Sequence, residues 1–216
     1  MDEPVVFGAA YSVYVRIVRL TLEEKQIPYR LEEIDIFAPG GPPAAYQARH
    51  PFGRIPAFEH AGFRLYETGA ITRYVDDAFP GPMLQPRAPK PHARMNQAIS
   101  ILDSYAYRAL VWDMFVERVR APQQGRPTDE QRLRAALPVA GKCLDALQDI
   151  WGDGPFLCGM DLSLADLHAA PMFAYFALAP EGAALLAEHD GLHRWWDRIR
   201  GRASMTATRS PLEDLT

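Results

Sequence analysis

The chain has 216 residues, of which 48% are hydrophobic and 23% charged, a composition typical of a soluble globular protein. Its net charge of -4 argues against nonspecific nucleic-acid binding, which needs a basic face, and no apolar run of about 18 residues predicts a membrane span. The acidic start Met1-Asp2-Glu3-Pro4 predicts no signal peptide. The two cysteines, Cys143 and Cys158, form no CxxC pair, which indicates a cytoplasmic protein with reduced thiols.

The first third of the chain predicts the order strand, helix, strand, helix, strand, strand, helix. Val5–Gly8 is a short apolar run typical of a strand, and Ser12 is a suitable N-cap for a helix that extends to about Gln26. The spacing of Val15, Val18 and Leu22 predicts a buried stripe on this helix. Its charged residues are expected to face elsewhere (Arg16, Arg19, Glu23 and Lys25).

The next predicted elements lead up to a proline-rich linker. We expect a half-solvated edge strand over 29–37, a short helix over 44–49, strands around Pro56 and Phe63, and a helix from Glu67 to about Ala78. Five prolines follow in residues 80–91, and proline-rich connectors are semi-rigid spacers.

Beyond the linker, the pattern is helical throughout. Predicted helices cover 92–120, with Met95, Ile99, Leu102 and Tyr105 on one face, and then 129–151, 163–178 and 190–201. Pro138 lies inside the second of these and predicts a kink or a late start. The expected fold class is therefore α/β followed by all-α, with domains over 1–79 and 92–216 joined by the linker 80–91.

The most informative stretch lies between His50 and Tyr74. Pro56 stands where a strand begins, and because proline has no N–H it suits the first residue of a strand. The N–H and C=O of Ile55 are then expected to be available to a group outside the sheet. Glu67-Thr68 opens the next helix, where unsatisfied backbone N–H groups bind anions. Together these features predict a site for a small, extended, peptide-like anion.

These two segments, His50-Pro51-Phe52-Gly53-Arg54-Ile55-Pro56 and Tyr66-Glu67-Thr68-Gly69-Ala70-Ile71, closely resemble the glutathione-binding half of the glutathione S-transferases. The resemblance covers nearly the whole chain, and Gly8-Ala9-Ala10-Tyr11-Ser12 is similar to the segment of the serine-type (theta, phi) classes in a bacterial member. It implies a thioredoxin-like N-terminal domain, an all-helical C-terminal domain and a cis peptide bond before Pro56.

The resemblance also implies roles for individual residues. Ser12 would stabilise the thiolate of glutathione, the co-substrate, with Tyr11 as the second candidate. Arg54, Ile55, Pro56, Glu67 and Thr68 would bind the tripeptide. Tyr11, Tyr14, Tyr107 and Trp112 would line a pocket for an apolar electrophile. Structural interpretations stay open: an N-cap for Ser12, a solvated loop charge for Arg54, an acidic helix start for Glu67 and plain core for Tyr107 and Trp112. Tyr11 would be a wall residue of the substrate pocket if it does not contact the sulfur.

One departure from the family pattern concerns the glycine carboxylate of glutathione. The family often places a basic residue near the end of the second strand or in the following loop, whereas residues 37–43 contain none. Arg49, His50 or Arg54 could substitute. His50 also stands where the family usually has asparagine.

Ser163 and Asp166 are spaced as a capping box, a folding element to which we assign no chemistry. His168 follows it among apolar neighbours and is interpreted as a core residue. No cluster of histidine, cysteine and carboxylates predicts a metal site.

The resulting hypothesis is a homodimeric glutathione transferase that conjugates the glutathione thiol to an apolar electrophile, with Phe52 as a candidate interface residue. Two alternatives remain. One is a different glutathione-dependent reaction, namely peroxide reduction, isomerisation or dehalogenation. The other is a non-catalytic interaction or regulatory protein with the same fold.

Overall fold

The computed structural model describes residues 2–151 and 154–214, and these divide into two compact units. The first contains residues 2–83 together with Ala203–Asp214, and the second contains Leu84–Arg202. The predicted domain boundaries at 79 and 92 stay a prediction. The first residue of the first predicted domain and the last residue of the second, residues 1 and 216, lie outside the described residues. The return of 203–214 to the first unit has no counterpart in the sequence pattern.

A four-stranded sheet forms the centre of the first unit. The strand order is β2-β1-β3-β4, with β1 and β2 parallel and the other two pairs antiparallel. The sheet buries Val6 and Phe58 against α1 residues such as Val15 and Val18, so the predicted stripe is confirmed. The strands are β1 (Val5–Phe7), β2 (Arg30–Glu32), β3 (Ala57–His60) and β4 (Phe63–Tyr66), and the helices are α1 (Val13–Glu24), a 3-10 helix (Ala44–Ala48) and α2 (Thr68–Ala78).

The second strand is much shorter than the predicted range 29–37. It ends at Glu32, and the chain then turns, because the Asp35 carboxylate accepts a hydrogen bond from the Phe37 N–H at 2.9 Å. Aspartate commonly closes turns by bonding to a backbone N–H two residues on. The position of β2 at the sheet edge agrees with its charged sequence.

Arg16 of α1 and Lys25, the residue that caps the end of α1, are buried, although the sequence pattern predicts that both face outward. Arg16 is 2% and Lys25 3% exposed. Each is compensated by a carboxylate, since Arg16 pairs with Glu213 and the Lys25 ammonium lies 3.0 Å from Asp76. A periodicity argument could not identify these partners, which lie far away along the chain.

The second unit consists of helices. They are α3 (Pro89–Ile101), two π-helical stretches (Leu102–Ala106 and Arg108–Arg120), α4 (Ala121–Gln123), α5 (Glu130–Ile150), α6 (Leu164–Phe176), α7 (Pro180–Ala187) and α8 (Asp190–Arg200). The short α9 (Ala203–Ala207) and a 3-10 turn (Pro211–Asp214) then belong to the first unit. Neither α7 nor α9 was predicted from the sequence.

The π-helical stretches explain why Tyr105 is not on the buried face. The sequence pattern predicts that it shares a face with Leu102, but Tyr105 is 63% exposed. Hydrogen bonds from i to i+5 widen the helix and shift its register. After Leu102, the next buried position is therefore Ala106, four residues on, and Ala109, Leu110 and Val111 are buried beyond it.

Helix α5 begins directly after Asp129, where the sequence predicts its start, and continues through Pro138. The Asp129 carboxylate accepts a hydrogen bond from the Arg132 N–H at 3.0 Å and so caps the start. The expected alternative of a late start is therefore wrong, while a kink at Pro138 stays a prediction.

The predicted capping box at the start of α6 is confirmed. The Asp166 carboxylate is fully buried and accepts hydrogen bonds from the Ser163 N–H and hydroxyl, both at 2.8 Å. It also accepts from the Leu157 N–H at 2.7 Å and the Trp195 indole N–H at 2.9 Å. Burial raises the pKa of this carboxyl, and these donors act in the opposite direction.

Within residues 2–151 and 154–214, no helix is both long and apolar enough to cross a membrane.

Candidate functional site

The loop before β3 leaves a stretch of backbone available at the edge of the sheet. The peptide bond between Ile55 and Pro56 is cis, as the resemblance implies. Strand β3 begins only at Ala57, and among the described residues neither the N–H nor the C=O of Ile55 has a backbone partner. A peptide could therefore pair with Ile55 as it would with a strand.

The start of α2 supplies a second set of binding groups. Glu67 precedes the helix with φ at 70°, a left-handed conformation that non-glycine residues rarely adopt. The Glu67 carbonyl accepts hydrogen bonds from the N–H groups of Ala70 and Ile71. The N–H groups of Thr68 and Gly69, as at any helix start, have no acceptor within the helix. Glu67 itself is exposed, so an ammonium group can reach its carboxylate while the helix start binds an anion.

Ser12 lies at the start of α1, as predicted. Its backbone is extended, and its hydroxyl oxygen accepts a long hydrogen bond of 3.4 Å from the Val15 N–H. The side chain is half-buried, and no acceptor for its hydroxyl proton is found in the part of the chain that the structure describes. Ser12 is thus an N-cap whose proton can be donated to a ligand.

Gly8 brings the loop that carries Ser12 close to Ile55 in the loop before β3. A Cβ atom at Gly8 would lie 2.4 Å from Val15 Cγ2 and 3.2 Å from Ile55 Cβ. Only the absence of a side chain permits this approach. The turn between β1 and α1 therefore packs directly against Ile55, which places Ser12 and the available backbone in one region of the first unit.

Tyr11, the second candidate for the sulfur, directs its hydroxyl to a carboxylate. It donates a hydrogen bond to the Asp35 carboxylate at 2.7 Å. This bond, and a second one from the Phe37 N–H, lower the pKa of the Asp35 carboxyl. The Tyr11 ring also stacks on Phe37 with centroids 6.1 Å apart. The arrangement favours Tyr11 as a wall residue. Sequence reasoning missed Asp35 because its charge was attributed to an edge strand. Tyr14 is half-buried one turn further along.

The three basic residues that could bind the glycine carboxylate lie in different environments. Arg49 pairs with Glu59, and its guanidinium carbon lies 4.1 Å above the ring of Phe7. Arg54 is exposed directly before Ile55, and none of the described carboxylates pairs with it. Arg54 is therefore the candidate that the geometry favours.

His50 is buried rather than presented to solvent. It is 3% exposed, and its ring centroid lies 4.9 Å from that of Tyr66 and 6.2 Å from that of Phe52. Burial lowers its pKa, while the nearby Glu67 charge opposes the shift. A neutral imidazole beside Glu67 suits packing more than binding a carboxylate.

Of the remaining predicted site residues, Tyr107 lies between the two π-helical stretches of the second unit and Trp112 lies on the second stretch, and both are half-buried. Their assignment to an electrophile pocket stays a prediction.

A cleft of about 560 Å³ in the first unit contains none of the predicted site residues. It lies between the end of α1 and β2, lined by Arg19, Glu23, Gln26, Ile27, Pro28, Tyr29 and Leu31.

Neither the cysteines nor His168 adds reactive chemistry. Both thiols are free, and burial raises the pKa of Cys143 and raises that of Cys158 to about 12. His168 is buried, with Nε2 2.8 Å from the Asp103 carboxylate, as its core interpretation predicts. The described residues contain no group of three or more histidine, cysteine or acidic side chains that could hold a metal.

Comparison with known proteins gives matches over both units. Residues 6–83 match the family model described as glutathione S-transferase, N-terminal domain, and residues 130–198 match the corresponding C-terminal domain. A glutathione S-transferase of Hyoscyamus muticus is 31% identical over 170 residues, which are 78% of this chain and 80% of the relative.

Solved structures agree over almost the whole length. Glutathione transferase F7 from Populus trichocarpa superposes with a TM-score of 0.82 at 26% identity, covering 95% of this chain and 97% of its own. The theta class glutathione S-transferase from Xanthomonas axonopodis pv. citri, solved with glutathione bound, gives 0.81 at 25% identity, covering 98% and 100%.

Proposed function

This chain belongs to the glutathione S-transferase family, and we propose that it conjugates the thiol of glutathione to a small apolar electrophile. The observation that carries the proposal is the available Ile55 backbone close to the start of α2, since Ala57, two residues after Ile55, pairs with Tyr66, two residues before Thr68. That pair of features accommodates an extended peptide with charged ends, which is the chemistry of glutathione.

Each part of glutathione has a counterpart among these residues. The cysteinyl backbone would pair with the N–H and C=O of Ile55, which Pro56 presents. The γ-glutamyl ammonium would bind the Glu67 carboxylate, and its carboxylate would accept from the N–H and hydroxyl of Thr68. Such charge-assisted hydrogen bonds contribute about 1.5–3 kcal/mol each. Arg54 would meet the glycine carboxylate.

Ser12 would then activate the sulfur. A free thiol titrates near pKa ~8.5, so little of it is thiolate at neutral pH. A hydroxyl that donates to the sulfur at a helix start favours the anion. The thiol proton leaves to solvent, the thiolate attacks the electrophilic carbon, and the leaving group departs with its electron pair. No covalent enzyme intermediate forms.

The test combines binding with turnover. The wild-type chain should be retained on immobilised glutathione and should conjugate a generic aromatic halide. We expect Ser12→Ala to reduce kcat by about tenfold or more. The reason is that the hydroxyl is taken to lower the pKa of the thiol by about one unit, which changes the thiolate fraction about tenfold. Tyr11→Phe serves as the matched control and should retain most of kcat, because its hydroxyl is bonded to Asp35.

Arg54→Ala addresses binding separately, since it should raise KM for glutathione with little change in kcat. Retention without conjugation would favour another glutathione-dependent reaction, and the loss of both would favour the non-catalytic alternative.

We also propose a cytoplasmic homodimer that contacts its partner through Phe52. This side chain is 69% exposed and lies beside the ring of Tyr66, which is 38% exposed, so the two form an apolar surface patch over the buried ring of His50. Phe52→Ser should shift the mass measured by light scattering toward that of a monomer. A wild-type chain that is monomeric at micromolar concentration would contradict the proposal.

A further inference from the structure

The C-terminal segment, residues 203–214, is fastened along one side of α1. The Ser204 hydroxyl donates to the Glu24 carboxylate at 2.5 Å, and Arg19 donates to the Ala207 carbonyl at 3.4 Å. Further along, the segment reaches Arg16, so its contacts span residues 16 to 24, about two turns of the helix. The segment thus leads from the end of α1 back toward the end that carries Ser12.

Arg16 is the centre of this attachment. Its Nη1 donates to Glu213 at 2.5 Å, its Nη2 to the Met205 carbonyl at 3.0 Å and its Nε to the Thr208 hydroxyl at 3.3 Å. All three acceptors come from the C-terminal segment. Because an unpaired guanidinium is costly to bury, an arginine that is 2% exposed depends on these partners.

The same residue is connected to the thiol site through the backbone. The Arg16 N–H donates to the Ser12 carbonyl at 2.9 Å, the hydrogen bond that closes the first turn of α1. The Ser12 hydroxyl oxygen is held by the Val15 N–H in that same turn. A restraint on Arg16 is therefore one helical turn away from the hydroxyl proton that has to meet the sulfur.

We propose that the C-terminal segment is a positioning element for thiol activation, with Arg16 and Glu213 as positioning residues. By holding Arg16, it fixes the first turn of α1 and so the direction in which the Ser12 hydroxyl donates. Hydrogen-bond strength falls steeply with misalignment, so a loosened turn weakens thiolate stabilisation. This inference rests on the proposed role of Ser12.

A double-mutant cycle between Ser12→Ala and Glu213→Ala tests the coupling in the full chain. We expect Glu213→Ala to lower kcat for conjugation by about three- to tenfold, as a misplaced catalytic group would, and to leave KM for glutathione within about twofold. In the Ser12→Ala background, Glu213→Ala should have no further effect on kcat, because the group it positions is absent.

Two further variants complete the design. Glu213→Gln keeps an acceptor for Arg16 and should recover most of the lost rate. Asp214→Asn is the control, because its ion pair with Arg209 has side chains 65% and 52% exposed, and it should match the wild type.

Wild-type kcat in Glu213→Ala would overturn the positioning role, as would an equal loss in both backgrounds, which would indicate a general structural effect. If Ser12→Ala itself leaves kcat unchanged, the proposed function of Ser12 fails and the positioning role fails with it.

Discussion

Asp166 offers the strongest test of what stabilises the second unit. Its carboxylate is fully buried and accepts four hydrogen bonds, two from Ser163 and one each from the Leu157 N–H and the Trp195 indole. Asp166→Ala would leave all four donors without an acceptor in a buried position. The change therefore removes far more than a helix cap.

The expected loss in the free energy of unfolding follows from these four hydrogen bonds. Each orphaned buried donor costs ~1–3 kcal/mol, so after partial relaxation we expect a loss of at least ~4 kcal/mol in the free energy of unfolding. That is a large share of the ~5–15 kcal/mol typical of a folded protein. Asp166→Asn retains one acceptor oxygen and should lose about half as much. Ser163→Ala removes only the hydroxyl and should cost ~1 kcal/mol.

Urea unfolding followed by far-ultraviolet circular dichroism and tryptophan fluorescence measures these differences. Asp161→Asn, an exposed change just before the same helix, is the control and should match the wild type. An Asp166→Ala variant within ~0.5 kcal/mol of the wild type, the range of ordinary surface changes, would show that these four hydrogen bonds do not stabilise the second unit.

Three other predictions concern the first unit. Lys25→Met should cost ~3–5 kcal/mol by leaving Asp76 charged and buried, and Lys25→Met/Asp76→Leu should recover most of that loss in the same denaturation assay. His50 should titrate below the ordinary ~6.5 by NMR, and because its folded pKa is depressed, stability should fall as pH drops below that value. The dependence should be weaker in His50→Asn. Gly8→Ala should cost ~1–3 kcal/mol and weaken glutathione binding measured by calorimetry, because its Cβ would overlap Val15 and press on Ile55; unchanged affinity would contradict that packing.

Local patterns were sufficient to predict most elements of the fold. The apolar spacing of Val15 and Val18, the N-cap at Ser12 and the capping box at Ser163 each depend on residues a few positions apart, and all three are present. The cis bond before Pro56 came from the family resemblance, since the sequence pattern alone indicates only an extended residue before proline.

The features that sequence reasoning missed depend on contacts between distant residues. The burial of Arg16 requires Glu213, which is 197 positions away, and no periodicity reports such a pair. The end of β2 depends on the bonds that Asp35 makes with Tyr11 and Phe37. The exposure of Tyr105 follows from π-helical hydrogen bonding, which a pattern of 3.6 residues per turn does not include.

If the Ser12 hydroxyl stabilises the thiolate of bound glutathione, the pKa of that thiol depends on this side chain. The most direct measurement is a pH titration of the bound thiolate by its ultraviolet absorbance, in the wild type and in Ser12→Ala. We predict a pKa at least about one unit below the free value of roughly 8.5 in the wild type, and a return toward the free value in the variant. Identical titration curves for the two proteins would show that the Ser12 hydroxyl does not stabilise the thiolate.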